Sequence, residues 1–245
     1  MAELDPPGTY RPQYRLRWRG LVRILDRFPR LKASLADFAR DTLKRVFEPG
    51  MVTTERVIEY PFVFQNLDGV SGPILDIGCC SSQFPIALAS RGFEVVGIDL
   101  NPYPYRHPGF CAVRGDAMKF PFATGRFAAV LAVSVIEHIG IGHYGDPSAI
   151  EGDQAVASEI ARVLRPGGRV LITVPFGVAQ TDDFQRVYDP PRLSELLTPF
   201  RIVKIEYAWS KNGLWVPCSD AEAASVDWRG VSRAVALVVL TTPSR

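Results

Sequence analysis

Residues 74–82 read Ile-Leu-Asp-Ile-Gly-Cys-Cys-Ser-Ser, an apolar run that passes into a loop of small residues. A short apolar run before such a loop predicts a buried β-strand. Glycine and other small residues let the backbone approach a ligand closely, because no large side chain stands in the way. The loop is therefore the first candidate for a binding site.

From residue 73 onward, short β-rich runs alternate with helical segments, which is typical of a parallel sheet with crossover helices. Strands are predicted over 73–77, 94–99, 109–113, 127–133, 169–174, 201–208 and 234–241, and helices over 82–91, 154–164 and 191–197. The pattern predicts an α/β fold with a doubly wound, mostly parallel seven-stranded sheet within residues 56–245.

Residues 1–55 are expected to form a basic helical extension ahead of this domain. Basic residues outnumber acidic ones up to Arg45, and apolar residues between Leu31 and Phe47 recur at spacings of three to four. This periodicity predicts an amphipathic helix. The helix could act as a lid, a clamp for an anionic substrate or a membrane-surface helix, or it could pack on the domain with its arginines solvated.

The composition is that of an ordinary globular protein, since 47% of the 245 residues are hydrophobic and 22% are charged. Apolar stretches are too short to span a bilayer, and the first thirty residues lack the apolar core of a secretory signal. We therefore expect no transmembrane segment and a cytoplasmic location. The four cysteines have no CxxC spacing and are expected to be free thiols.

The predicted second strand ends in a carboxylate, Asp99. An acid at this position of a doubly wound sheet can accept hydrogen bonds from both hydroxyls of a ribose. Asp99 could instead serve as a turn or helix-capping residue. Taken with the loop after residue 77, it predicts an adenosine-type ligand.

Five ordered motifs resemble those of the class I S-adenosylmethionine-dependent methyltransferases. They are Asp76-Ile77-Gly78-Cys79-Cys80, Gly97-Ile98-Asp99-Leu100, Gly115-Asp116-Ala117 with Phe120-Pro121-Phe122, Ser134-Val135-Ile136-Glu137-His138, and Arg162-Val163-Leu164-Arg165-Pro166-Gly167-Gly168. The set is more specific than any single motif. The resemblance implies a Rossmann-like fold, S-adenosylmethionine as cofactor and S-adenosylhomocysteine as product.

The resemblance also implies which residues bind the cofactor. They are Asp76 and Gly78 at the methionine end, Cys79 and Cys80 in the same loop, Asp99 at the ribose, Leu100, Asp116 and Ala117 at the adenine, and Ser134 beside the sulfonium. Carboxylates suit the ammonium, hydroxyl and amine donors of this ligand, and an apolar side chain suits its flat base.

Three positions depart from the family pattern. Cys80 and Ser82 stand where glycines are usual, and Ala128 stands where an acid is common near the start of the fourth strand. Because both loop replacements are small, they predict a slightly reshaped cofactor pocket. Loss of the cofactor site is the alternative.

The segment after the fourth strand holds the candidate catalytic residues His138, Glu137, Tyr144 and Asp146. A neutral imidazole can remove a proton from an attacking alcohol, phenol or amine. The Glu137-His138 pair could equally tie down loop amides and cap a helix, while Tyr144 and Asp146 could serve a turn. Glu137 and His138 with His143 have no diagnostic ligand spacing, so no metal is expected.

A polar loop after the fifth strand, over 182–189, could form an acceptor pocket or a solvated surface. We expect methyl transfer to an oxygen, or less readily a nitrogen or carbon, of a small-molecule acceptor. No nucleic-acid partner is expected, because the basic residues are concentrated in one arm, and a homodimer is left open. The alternatives are a degenerate fold member that binds a ligand or partner, or one that uses the sulfonium compound for other chemistry.

Overall fold

A computed structural model of the protein describes residues 54–80, 82–211 and 213–242. The amphipathic helix expected between Leu31 and Phe47 lies outside these residues, so the extension remains a prediction. The described chain forms an eight-stranded sheet with helices on both faces and a separate two-stranded sheet. Within these three ranges, no helix combines the length and the apolar character needed to cross a bilayer.

The elements follow one another in the order typical of alternating α/β proteins. They are α1 (Arg56–Gln65), β1 (Ile74–Ile77), α2 (Phe84–Ala89), β2 (Val95–Asp99), β3 (Phe110–Arg114), β4 (Phe127–Val133), a 3-10 turn (Ile136–His138), α3 (Gly152–Val163), β5 (Leu164–Pro175), β6 (Gln180–Thr181), β7 (Arg186–Val187), α4 (Pro190–Leu196), β8 (Arg201–Lys211), β9 (Leu214–Cys218), α5 (Asp220–Ala224) and β10 (Ala234–Thr241).

The main sheet runs in the order β3-β2-β1-β4-β5-β10-β8-β9. Strands β1 to β5 pair in parallel, whereas β10 is antiparallel to both of its neighbours, β5 and β8. The predicted doubly wound, mostly parallel sheet is confirmed. Strand order reverses between β1 and β4, which is where open α/β sheets bind ligands.

The two central strands are buried because helices cover both faces of the sheet. All four residues of β1 are buried, as are the first six of β4. Leu75 packs in the cluster that includes α3, while Ile74 packs with α1 and α2 on the other face. Burial on both faces explains why these strands are continuous apolar runs without polar alternation.

The expected strand count of seven is wrong, because Leu214–Cys218 forms an eighth strand at the edge. Lys211 pairs with Leu214, and Gly213 has a φ of 76°. The Asn-Gly dipeptide between them is the commonest signal for a two-residue hairpin turn, which requires positive φ. That local signal was present in the sequence and was overlooked.

The Arg-Pro-Gly-Gly segment at 165–168 ends α3 as predicted, although the chain enters β5 at Leu164 rather than at residue 169. Gly167 has a φ of 70°, which is a conformation that favours glycine. The pairing between β4 and β5 is irregular between Phe127 and Ala129, so this segment forms a bulge within the strand. A bulge is why the strand is longer than its apolar run.

Candidate active site

A cavity lies at the carboxyl ends of β1, β2 and β4, next to the switch point. Its lining includes most of the residues predicted from the motif series: Asp76, Gly78, Cys80, Asp99, Leu100, Asp116, Ala117 and Ser134. Of the catalytic candidates, His138, Tyr144 and Asp146 also line it. Residues far apart in the sequence meet here because parallel strands end at one edge of the sheet. We call this space the first cavity.

Cys79 is the one predicted cofactor residue whose side chain does not line the first cavity. It is 1% exposed, and a Cβ added at Gly97 would lie 2.7 Å from its sulphur. The thiol therefore fills a gap beside the second strand, and burial raises its pKa. Cys79 thus supports the loop from its buried side.

The loop after β1 is held in shape by glycine and by Asp99. Gly78 has a φ of 74°, and a Cβ there would overlap Val135. The amides of Cys80 and Asn101 donate to the two carboxylate oxygens of Asp99, at 2.9 and 2.8 Å. The turn role foreseen for Asp99 is therefore present, and a carboxylate still has lone pairs for further donors.

The departures from the family pattern have different consequences. Ser82 accepts a hydrogen bond from the amide of Phe84 at 2.9 Å, at the start of α2, while its side chain also contacts the Tyr60 hydroxyl at 3.0 Å. Cys80 turns its thiol toward the carbonyl of Pro102 at 3.4 Å. Ala128 lies in the amino-terminal part of β4, away from the first cavity. Both loop replacements are thus accommodated beside an open cavity.

Asp76 is a buried carboxylate that faces the first cavity. It is 4% exposed, and burial raises its pKa to about 7, with Arg56 opposing the rise and Asp99 adding to it. A carboxyl poised to ionise near neutral pH gains from any cationic donor placed beside it. The residue thus fits the ammonium group of the methionine moiety.

Glu59 is a buried carboxylate that sequence reasoning missed. It accepts hydrogen bonds from Arg56 Nη1 at 2.6 Å, Ser134 Oγ at 2.5 Å and Thr173 Oγ1 at 2.7 Å. Burial raises its pKa, and these three donors oppose the rise. Glu59 shares the buried face of α1 with Phe62 and Val63. The sequence signal that could have revealed Glu59 is its position three and four residues before apolar residues, which places it on the apolar face of the helix.

Ser134 follows β4 with a φ of 44°, the one positive φ among the described non-glycine residues. Such a conformation costs free energy and persists where surrounding contacts hold it. The Ser134 amide donates to Thr173, and its hydroxyl donates to Glu59. The residue expected beside the sulfonium is therefore fixed from both sides.

A second cavity adjoins the first. It is lined by Glu55, Glu137, Pro175, Phe184, Gln185, Trp228 and Val235, together with four residues that also line the first cavity: Arg56, Ser134, His138 and Tyr144. These four form the boundary between the cavities. Of the catalytic candidates, Glu137 alone faces only the second cavity.

His138 lies on this boundary in a defined tautomer. Its Nδ1 is 2.7 Å from the carbonyl oxygen of Phe184, so Nδ1 carries the proton and Nε2 presents a lone pair. Nε2 lies 3.7 Å from Glu137 Oε1. Burial lowers the pKa of His138, which keeps the imidazole neutral near pH 7. The ring can therefore accept a proton at Nε2.

Hydrogen bonds with buried or partly buried side chains hold the loop that carries the catalytic candidates. Asp146 accepts from the amide of Gly140 at 2.5 Å, while buried Arg186 donates to the carbonyl of Ile139 at 2.6 Å. Arg186 and Tyr188 both approach Asp153. Within the polar loop at 182–189, which was expected to form an acceptor pocket, Arg186 and Tyr188 are therefore buried and support the structure. Phe184 and Gln185 of the same loop line the second cavity.

Tyr144 is 53% exposed and lines both cavities, with its ring centroid 5.4 Å from that of His138. His143, in contrast, lines neither cavity and contacts the carbonyl of Asp183 at 3.1 Å. No three His, Cys, Asp or Glu side chains in the described part of the chain are grouped so that they could hold a metal ion.

Comparison with known proteins agrees with this geometry. Residues 75–172 match the family model described as "Methyltransferase domain". A protein named uncharacterized methyltransferase from Mycobacterium sp. (strain JLS) is 32% identical over 114 residues, covering 42% of this chain and 41% of the relative. The demethylmenaquinone methyltransferase of Beutenbergia cavernae is 32% identical over 120 residues, covering 47% of this chain and 45% of the relative.

This chain spans less than half the length of the curated relatives it matches. Among solved structures, the 1,6-didemethyltoxoflavin-N1-methyltransferase of Burkholderia thailandensis aligns with a TM-score of 0.51 at 15% identity, over 87% of this chain and 88% of that one. This likeness shows the fold. With the matched family model and the ordered motifs around one cavity, it follows that the chain carries a class I S-adenosylmethionine-dependent methyltransferase domain.

Proposed function

We propose that this protein transfers a methyl group from S-adenosylmethionine to a small-molecule acceptor, most readily to an oxygen atom. The observation that carries the proposal is the pair of adjoining cavities with Arg56, Ser134, His138 and Tyr144 as their common boundary. One cavity has the carboxylates that suit the cofactor, and the other suits an acceptor. Two reactants held on either side of one boundary can be aligned for direct transfer.

The first cavity fits the cofactor through its own residues. Asp76 accepts from the ammonium group and Asp99 from the ribose hydroxyls, since each carboxylate has acceptor capacity left. Asp116 accepts from the adenine amine, and Leu100 covers the ring. Gly78 supports this fit, because a Cβ there would overlap Val135 and displace the loop.

Arg56 completes the methionine end. Its Nη1 is occupied by Glu59 and by the carbonyl of Val133 at 3.1 Å. Arg56 lines the first cavity, where its remaining guanidinium donors suit the carboxylate of the methionine moiety. Glu59 thus acts as a positioning residue for Arg56.

When bound, S-adenosylmethionine would supply an electrophilic methyl group. Its carbon would bond to the acceptor while its bond to sulphur breaks, and the electron pair of that bond would stay on sulphur. His138 receives the proton lost by the acceptor at Nε2, because Nδ1 already donates to Phe184. Ser134 and Tyr144 border the space where transfer occurs. A small-molecule acceptor agrees with the quinone-type relative, whose name is demethylmenaquinone methyltransferase.

The test begins with calorimetric titration of the protein with S-adenosylmethionine and S-adenosylhomocysteine, beside Asp99→Ala and the control Asp68→Ala, an exposed carboxylate ahead of β1. Micromolar binding that only Asp99→Ala loses supports the cofactor site. Transfer of labelled methyl to a panel of hydroxyl, amine and carbon acceptors then identifies the reaction. A folded wild-type protein that binds neither compound would refute the proposal.

A further inference from the structure

Glu137 is a buried carboxyl without the partners that a buried carboxyl requires. Its residue is 1% exposed, and Oε2 has no hydrogen-bond partner among the described residues. Oε1 lies 3.7 Å from His138 Nε2, which is too far for a hydrogen bond. An unsatisfied buried polar group costs free energy and calls for a functional explanation.

Two other buried acids, Glu59 and Asp153, are satisfied, whereas the buried Asp76 and the partnerless Oδ1 of Asp146 belong to residues that line the first cavity. Glu59 accepts from three donors, and Asp153 accepts from the Tyr188 hydroxyl at 2.9 Å with Arg186 Nε 3.8 Å away. Glu137 is different because it lines the second cavity rather than a packed interior. A ligand in that cavity can supply the missing partner.

The walls of the second cavity favour a flat ligand. Phe184, Tyr144, His138 and Trp228 contribute rings to its lining. Trp228 donates its Nε1 proton to the carbonyl of Phe176 at 2.9 Å, so its ring surface remains for contact while its polar donor is already used. Aromatic side chains of this kind pack well against aromatic ligands.

The size and charge of the second cavity further restrict the class of ligand that it can bind. Its volume is about 200 Å³, somewhat larger than a cavity of about 150 Å³ that accepts benzene. Burial raises the pKa of the Glu137 carboxyl well above its ordinary value, which favours the protonated form, and a protonated carboxyl both donates and accepts hydrogen bonds. Arg56 and Glu55, which have opposite charges, both line the cavity, so the lining has no excess of one charge that would select a charged ligand.

We propose that the second cavity binds the methyl acceptor as an uncharged one- or two-ring aromatic compound whose hydroxyl or amide group hydrogen-bonds to Glu137. This inference rests on the proposed function, since methyl transfer is what makes the occupant an acceptor. Glu137 is then a specificity residue that orients the acceptor, and His138 beside it remains the proton acceptor.

The experiment measures binding of three matched probes to the protein saturated with S-adenosylhomocysteine, by saturation-transfer NMR. The probes are 2-naphthol, its isostere 2-methylnaphthalene and the cation 2-naphthylmethylammonium. Wild type is expected to bind 2-naphthol about tenfold more tightly than 2-methylnaphthalene, as one buried hydrogen bond provides. The cation is expected to bind more weakly than either.

Two substitutions at one position separate the alternatives. Glu137→Leu is expected to abolish the preference for 2-naphthol, whereas Glu137→Gln is expected to keep it, because an amide also donates and accepts. Glu195→Gln, an exposed acid on α4, is the control and should behave as wild type. Affinity for S-adenosylhomocysteine, measured on each variant, reports whether the fold and the first cavity are intact.

Equal binding of 2-naphthol and 2-methylnaphthalene, or no binding of either, would overturn this inference while S-adenosylhomocysteine binding leaves the proposed function standing. Tight binding of the cation that Glu137→Gln loses would also overturn it, since the carboxyl would then act as an anion. Failure of the wild-type protein to bind S-adenosylhomocysteine would instead refute the proposed function on which the inference rests.

Discussion

The two cavities of this protein are built in different ways. The first is framed by the ends of parallel strands and by backbone amides that donate to Asp99. The second is framed mostly by side chains from the turn after β4, the loop between β6 and β7, and Trp228 before β10, with Arg56, Pro175 and Val235 from α1, β5 and β10. The difference teaches that the first cavity, proposed for the cofactor, depends on sheet geometry. The second cavity, proposed for the acceptor, depends mainly on loops that meet only in the folded chain.

The largest expected effect lies on the boundary between the cavities, at His138. His138→Gln should lower turnover about 10²- to 10⁴-fold, because no group remains to take the acceptor proton. His143→Gln is the matched control, since His143 makes a similar contact to a backbone carbonyl but lines neither cavity. Release of S-adenosylhomocysteine with the first acceptor that wild type methylates measures both. Equal losses of turnover in the two variants would mean that turnover depends on the structure of the loop and not on the His138 imidazole.

The next effect tests whether the first cavity depends on backbone geometry. Gly78→Ala adds a left-handed strain and an overlap with Val135, so we expect unfolding free energy to fall by about 2–4 kcal/mol and affinity for S-adenosylhomocysteine to drop. Gly167→Ala has the same strain with nothing within 4 Å, and should cost about 1 kcal/mol. Urea denaturation measures the unfolding free energy of both variants. Equal losses would show that the contact between residue 78 and Val135 does not add to the strain.

A smaller effect comes from the protonation of Asp76. Its pKa of about 7 means that the ionised form, which accepts from the cofactor ammonium, is lost as pH falls below 7. Affinity for S-adenosylhomocysteine should therefore rise about tenfold from pH 6 to pH 8. Asp76→Asn should bind weakly with a flat profile over the same range. A rise that persists in this variant would assign the titration to another group.

The smallest effect tests the independence of the two cavities. Phe184→Ala removes a ring that lines only the second cavity, so affinity for S-adenosylhomocysteine should stay within about twofold of wild type. Calorimetric titration of both proteins decides the matter. A tenfold loss would mean that one ligand extends through both cavities, and the division between cofactor and acceptor sides would no longer hold.

Much of the cofactor side was predictable because its signals are local. Apolar runs marked the central strands, and Asp76, Gly78 and Asp99 stand at strand ends where the fold binds ligands. The burial of Cys79 away from the first cavity could not be predicted, since a motif does not reveal which way a side chain turns. The edge strand over Leu214–Cys218 was missed although a turn signal precedes it.

The sequence by itself determined the doubly wound sheet and the loop that approaches the cofactor, because both follow from hydrophobic periodicity and from residues close in the chain. Only the tertiary structure decided the partners of Glu59, the unpaired Oε2 of Glu137 and the place of Trp228 in the lining of the same cavity. These depend on contacts between residues far apart in sequence, and such contacts leave no periodic pattern. Burial, which sets the charge of each acid, likewise exists only once the chain has folded.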